Sequence, residues 1–249
     1  KAEKKQEEAL TYFKKSLKIQ PKNERLLEEV LTNSFGEGAD FEEVAQYSRM
    51  AVEEFPEKAE FWFYEGILLS ALKKDSLAVD ALETALQLNA DKNPQLAQVA
   101  HGSLGASWYQ LGNKEAAFAN FEKALTLNPN DEQVLNNYAY FLALDLQELD
   151  KALEMAQRVV KKHPKNGTYL DTLAWVLYQM KRYAEAAVHL EEALRHEKEP
   201  SGVVMEHYGD ILYRLERGEE AIIWWTKASK TSEGSAELIQ KIKSGKIHE

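Results

Sequence analysis

Apolar residues recur along this chain at intervals of three and four, and strand-like alternation is nearly absent. That spacing marks amphipathic helices. One phrase returns again and again. A lead residue, usually alanine, follows a polar turn. An aromatic, apolar or small residue comes four later, a small or apolar residue three after that, and frequently a proline five further on. The phrase falls on Ala9, Phe13, Ser16 and Pro21; Val44, Ser48, Ala51 and Pro56; Ala78, Leu82, Ala85 and Ala90. It continues on Ala117, Phe121, Ala124 and Pro129; Ala152, Ala156, Val159 and Pro164; Ala186, Leu190, Ala193 and Lys198; and Ala221, Trp225 and Ala228. Successive leads lie 35, 34, 39, 35, 34 and 35 residues apart. The long interval contains Asp91-Lys92-Asn93-Pro94.

Upstream of these phrases sits a second helical pattern centred on a small residue: Gly66, Gly105, Ala139, Ala174 and Gly209. Each unit therefore reads as two antiparallel helices, A then B, whose small residues let the axes approach while large residues plug the dimples. A proline past helix B stops it, because it lacks the N–H that the next turn needs. One such pair cannot cover its own apolar face, so neighbouring pairs must stack.

Residues Leu104-Gly105, Trp108, Ala117, Phe121, Ala124 and Pro129 resemble the tetratricopeptide repeat signature, and the resemblance extends over nearly all of the chain. Later units depart from it by placing Ala for Gly or by losing the final proline. The resemblance implies an all-α superhelical solenoid of about 14 helices. As a single array over residues 1–249, it divides into a B helix of a truncated repeat (1–21), repeats at 25–58, 59–97, 98–131, 132–166, 167–201 and 202–233, and a capping helix at 235–245.

The chain opens on a B-type helix with no A helix before it, so the native protein is expected to continue N-terminally. At the other end Gly234 should break the last B helix. Ser235 should then cap a short helix that turns Leu238, Ile239 and Ile242 inward and Lys241, Lys243 and Lys246 outward. Asn93 and Pro94 suit the N-cap and first helical positions. The third A helix should therefore start early, near Pro94; the alternative is a break in the stacking.

Composition narrows the chemistry. The net charge is −10, with residues 31–100 holding 13 acidic and 5 basic side chains. No basic stripe is present for a phosphate backbone, so nucleic acid is not an expected partner. No Cys occurs, which excludes disulfides, Cys-liganded zinc and a thiol nucleophile. The six histidines show no zinc-protease spacing, and Gly36-Glu37-Gly38 reads as a turn rather than a phosphate loop. Neither a nucleophile elbow nor a kinase motif occurs. No enzyme, cofactor or metal is expected, and no run of about 18 apolar residues could span a bilayer.

In the resembled family, helix A lines a concave groove. The matching positions here are Tyr109; Asn136, Asn137 and Tyr140; Asp171, Trp175 and Tyr178; and Glu206, His207, Asp210 and Tyr213. Two readings stay open for the aromatics: packing between A helices, or ligand contact. If the column binds, asparagines would grip a peptide backbone and the carboxylates would favour basic ligand residues. The family's clamp for a terminal carboxylate needs Lys and Arg where this chain has Gly102, Asn136, Asp171 and Glu206, so acidic C-terminal peptides are not expected in the groove. The phrases around Asn136–Tyr140, Tyr169–Trp175 and Glu206–Asp210 resemble a bacterial subset, many of whose members are periplasmic or anchored at the outer membrane. The expected function is a protein-interaction scaffold, either in a bacterial envelope assembly, anchored through an upstream segment, or in the cytoplasm. The alternative is a self-assembling or regulatory docking arm of a larger enzyme or transporter.

Overall fold

The computed structural model describes residues 2–34, 40–89, 92–196, 199–231 and 235–247. The expected turn at Gly36-Glu37-Gly38, the Gly234 break, Ala90, Asp91, Lys198 and His248 lie outside them. Among the described residues there are fourteen helices and no strand.

They fall into two compact units, Lys1–Asn130 and Asp131–Glu249. The first holds α1 (Ala2–Ile19), α2 (Glu24–Asn33), α3 (Phe41–Glu54), α4 (Ala59–Ala71), α5 (Asp75–Asn89), α6 (Pro94–Gln110) and α7 (Lys114–Leu127). The second holds α8 (Glu132–Leu144), α9 (Leu149–Lys162), α10 (Gly167–Gln179), α11 (Tyr183–His196), α12 (Gly202–Arg214), α13 (Gly218–Ala228) and α14 (Leu238–Ser244). Each A helix packs on the B helix that follows it, as α4 on α5, α6 on α7, α10 on α11 and α12 on α13.

Side-chain caps start half of these helices. Asn93, Asn113, Asp131, Asn166 and Ser201 each turn a side-chain oxygen onto the N–H three residues ahead. Such caps contribute about 1 kcal/mol each by satisfying a donor that the helix cannot. Asn93 and Pro94 open α6 as the dipeptide predicts.

The A-to-B corners share one solution. After α6, α10 and α12 the chain passes through a left-handed residue, Gly112 (φ 81°), Lys181 (φ 61°) or Glu216 (φ 61°). The next N–H returns to the helix's last turn: Asn113 to Trp108 O, Arg182 to Leu177 O and Arg217 to Leu212 O. A left-handed backbone disfavours any residue with a Cβ. Lys181→Gly is therefore expected to be neutral or to stabilise by up to about 1 kcal/mol, read as a shift in urea midpoint at constant slope.

Close approach of the helix pairs follows the small residues. A Cβ on Gly105 would stand 2.6 Å from the Phe121 ring, and one on Gly66 would stand 2.5 Å from Leu82 Cγ. In the second unit, Gly209 meets the indole of fully buried Trp225 in the same way. Leu27, Leu31, Leu68, Leu82 and Leu104 fill the first unit, and Leu142, Leu170, Leu190, Ile211 and Leu212 fill the second.

The C-terminal helix departs from expectation. Leu238 is buried as foreseen, but Lys241 is buried too (8% exposed), while Ile239 is 52% exposed. Ser235 does not cap α14; its N–H and hydroxyl instead donate to Glu206, at 2.7 and 2.5 Å. Residues 238 and 241 share a face at a spacing of three, so a lysine lies inward because carboxylates wait there.

Candidate functional site

The A helices α8, α10 and α12 of the second unit carry ten of the eleven groove positions read from the sequence; Tyr109 lies on α6 of the first. Helix α10 packs against both α8 and α12, so their facing side chains meet across about 35 residues of chain.

The structure joins Asp171, Trp175, Tyr178 and His207 into one cluster. His207 Nδ1 donates to Asp171 Oδ1 at 2.8 Å, both residues being buried. A carboxylate only accepts, so this contact sets the imidazole tautomer. The His207 ring stacks on Trp175 at 3.9 Å and 17°, and Trp175 stacks on Tyr178 at 4.8 Å and 8°. Tyr178 accepts from Arg214 Nε at 3.3 Å. Burial pushes the Tyr178 hydroxyl above its ordinary pKa. The Trp175 N–H is buried without a hydrogen bond. Trp175 and Tyr178 thus pack on one another and on His207 between the A helices.

Glu206 and Asp210 form a second cluster with a residue the sequence reading had turned outward. Lys241 Nζ donates to Glu206 Oε1 at 2.8 Å and to Asp210 Oδ1 and Oδ2 at 2.9 and 2.8 Å. Trp225 Nε1 adds a bond to Asp210 Oδ1 at 2.8 Å. For Glu206, burial acts most strongly and upward. The Lys241 and Ser235 hydrogen bonds overcome it and hold the carboxyl below its usual range. For Asp210, deep burial dominates and raises the pKa. Lys241 is itself shifted up, its burial outweighed by the two carboxylates.

These pairings engage the carboxylates on which the expected preference for basic ligand residues rested. Asp171, Glu206 and Asp210 already face cations or donors of the same chain, and each is less than one-tenth exposed. The residues on this column that stay half-buried are Asn137, Tyr140, Trp175 and Tyr213. The Tyr140 hydroxyl is pushed up to about 12, first by burial and then by the charges of Asp171 and Glu206. Next to them Asn136 is 6% exposed; its Nδ2 reaches Asn137 Oδ1 at a long 3.4 Å, and its Oδ1 is buried with no partner. Tyr109 is half-buried, 6.3 Å from the Phe118 ring.

Among the described residues, no group of three or more His, Cys, Asp or Glu is placed to hold a metal ion. No helix among them is long and apolar enough to cross a membrane.

Comparison with known proteins points one way. Residues 100–199 match the cytochrome c-type biogenesis protein H TPR domain, and residues 172–235 and 1–23 match tetratricopeptide repeat families. A type IV pilus assembly protein, PilF of Pseudomonas aeruginosa, is 27% identical over 142 residues, 57% of this chain. The match spans 56% of that relative's length. A tetratricopeptide repeat protein from Parabacteroides merdae superposes with a TM-score of 0.70 at 18% identity, covering 98% of this chain and 93% of its own. YrrB, described as a TPR protein with an unusual peptide-binding site, superposes at 0.55 with 17% identity, covering 78% and 95%. At such identities the structural likeness establishes the fold. Together with the paired helices, the small-residue dimples and the three sequence matches, it identifies the fold of this chain as a solenoid of tetratricopeptide repeats.

Proposed function

We propose that the chain is a non-catalytic scaffold that holds a polypeptide segment of another protein on the A-helix face of its second unit, within a bacterial envelope assembly. The observation that carries the reading is Asn136. A buried carbonyl oxygen without a hydrogen bond costs about 1–3 kcal/mol, and here it lies beside the half-buried Asn137 and Tyr140. A turn of the Asn136 side chain toward an extended segment laid along α8 would let that oxygen accept one of its N–H groups, and Tyr140 would supply contact area at little entropic cost. The envelope setting is supported by the match to the cytochrome c-type biogenesis TPR domain and by the likeness to the pilus assembly protein.

The test must avoid Trp175 and Asp171, whose substitution would disturb packing before binding. A photocrosslinking amino acid is placed instead at Asn137, and as a control at Val188, which is 62% exposed on α11, in cells of the source organism. Asn137 is expected to yield a discrete adduct with another envelope protein, and Val188 is not. Identical adducts from both positions would sink the proposal. Adducts only between copies of the chain would favour the self-assembling arm.

A further inference from the structure

The one irregular interval of the repeat builds a cleft. Helix α6 has 17 residues where α4, α8, α10 and α12 have 13 each. The four additional residues make about one further turn at the N-terminus. That turn is locked from behind. Asn89 Nδ2 donates to Asn93 O and Asn93 N–H to Asn89 Oδ1, both at 3.0 Å, and Asn89 is buried. The added turn lies where α5 and α7 end, and between them opens a cleft of about 540 Å³ lined by Leu86, Pro94, Ala97, His101, Lys123 and Leu127. This lies within the usual range of ligand clefts, about 300–1,000 Å³.

We propose that this cleft docks a segment of a partner protein that pairs an apolar side chain with a carboxylate. The apolar half of the match is Leu127, a large side chain left 46% exposed at the cleft wall. The charged half is Lys123. The chain carries a net charge of −10, yet no carboxylate is among the lining residues, and Lys123 has no ion-pair partner among the described residues. A free cation at the rim of an apolar trough is complementary to an acidic-apolar segment and repels a basic one.

His101 adds directional specificity. Asn120 Nδ2 donates to Ala116 O at 2.9 Å, which turns its Oδ1 toward His101 Nδ1 at 2.8 Å. Nδ1 therefore carries the proton, and Nε2 is the nitrogen open to a donor such as a ligand backbone N–H. Burial, the largest influence, lowers the His101 pKa and keeps the ring in this neutral form. The cleft lies in the first unit, apart from Asn136–Tyr140, so its occupancy stands or falls separately from the groove.

Three short peptides serve as probes, acetylated and amidated so that no terminal charge contributes. They are identical except that two central leucines are flanked by Glu, by Gln or by Lys. Each is titrated with the full chain by fluorescence polarisation. The Glu peptide is expected to bind about two- to fivefold more tightly than the Gln peptide. Lys123→Glu should reverse the order in favour of the Lys peptide, and Leu127→Asp should weaken all three. Both side chains are exposed, so unchanged thermal melts will show that the fold survives. Absence of Glu-peptide binding, equal binding of Glu and Gln peptides, or a Glu preference that persists in Lys123→Glu would overturn the proposal.

Discussion

Gly209→Leu is expected to destabilise the second unit by about 3 kcal/mol or more. A Cβ at this position would stand 2.4 Å from Trp225 Cδ1 and 2.5 Å from its Nε1, with Ala221 O at 3.2 Å. The indole has no room to retreat, because Trp225 is 0% exposed. It is also held by its bond to Asp210 Oδ1. Overpacking of this kind costs about 1–3 kcal/mol and occasionally more. Here the displaced ring also gives up a hydrogen bond to a buried carboxylate. Gly209→Ala should cost less than Gly209→Leu, since it adds only a Cβ against the indole while recovering about 1 kcal/mol of helix propensity over glycine. Gly218→Ala is the control. Its added methyl meets nothing within 4 Å, so stability should hold or rise slightly. Urea denaturation followed by Trp fluorescence measures all three. Equal midpoints for the Gly209 and Gly218 variants would refute the close approach of α12 and α13.

Lys241→Met should cost about 3 kcal/mol at neutral pH, because it leaves two buried carboxylates facing each other without their cation. Removing one member of a buried ion pair typically costs 3–5 kcal/mol for that reason. The pH dependence separates this from a simple packing loss. Without the lysine, both carboxyl groups should titrate above their unfolded values. A carboxyl raised in this way contributes stability below its unfolded pKa and loses it as pH rises through the folded one. The variant should therefore regain stability between about pH 6 and pH 4.

The parent protein behaves differently in that window. Glu206 is lowered and loses its contribution as the pH falls, whereas Asp210 is raised and gains. The two oppose each other. The clean loss in the parent comes in alkali, because Lys241 is raised and its contribution is lost as pH rises through its folded pKa. Melts of both proteins across the pH range check this. A variant whose melting temperature does not rise on acidification would show that α14 leaves the acids open to water.

Much of the fold was legible because its determinants are short-range. The lead residues Ala78, Ala117, Ala186 and Ala221 are all fully buried, as are Ala139 and Ala174 opposite them in the pattern. The caps at Asn93 and Asp131 act within three residues. Periodicity near 3.6 tells which face turns inward, and cap chemistry tells where a helix starts. The candidate site was legible only as a set of positions. Asp171 and Trp175 were read as sharing one face of α10. That the first is matched by His207, 36 residues away, and the second stacked on the same ring could not be read from α10 alone.

Lys241 shows the limit most plainly. A lysine in the last turn of a short helix suits the helix dipole and solvent, and nothing within α14 opposes that reading. Only the arrival of Glu206 and Asp210, 35 and 31 residues earlier in the chain, turns it inward. By itself the sequence determined the helical pairs, their period and the residues that let them approach, since all of these follow from contacts along one helix or across one turn. Which charges remain free to meet a partner was decided by tertiary structure alone. A side chain's solvation and pairing depend on groups that folding brings to it from distant parts of the chain.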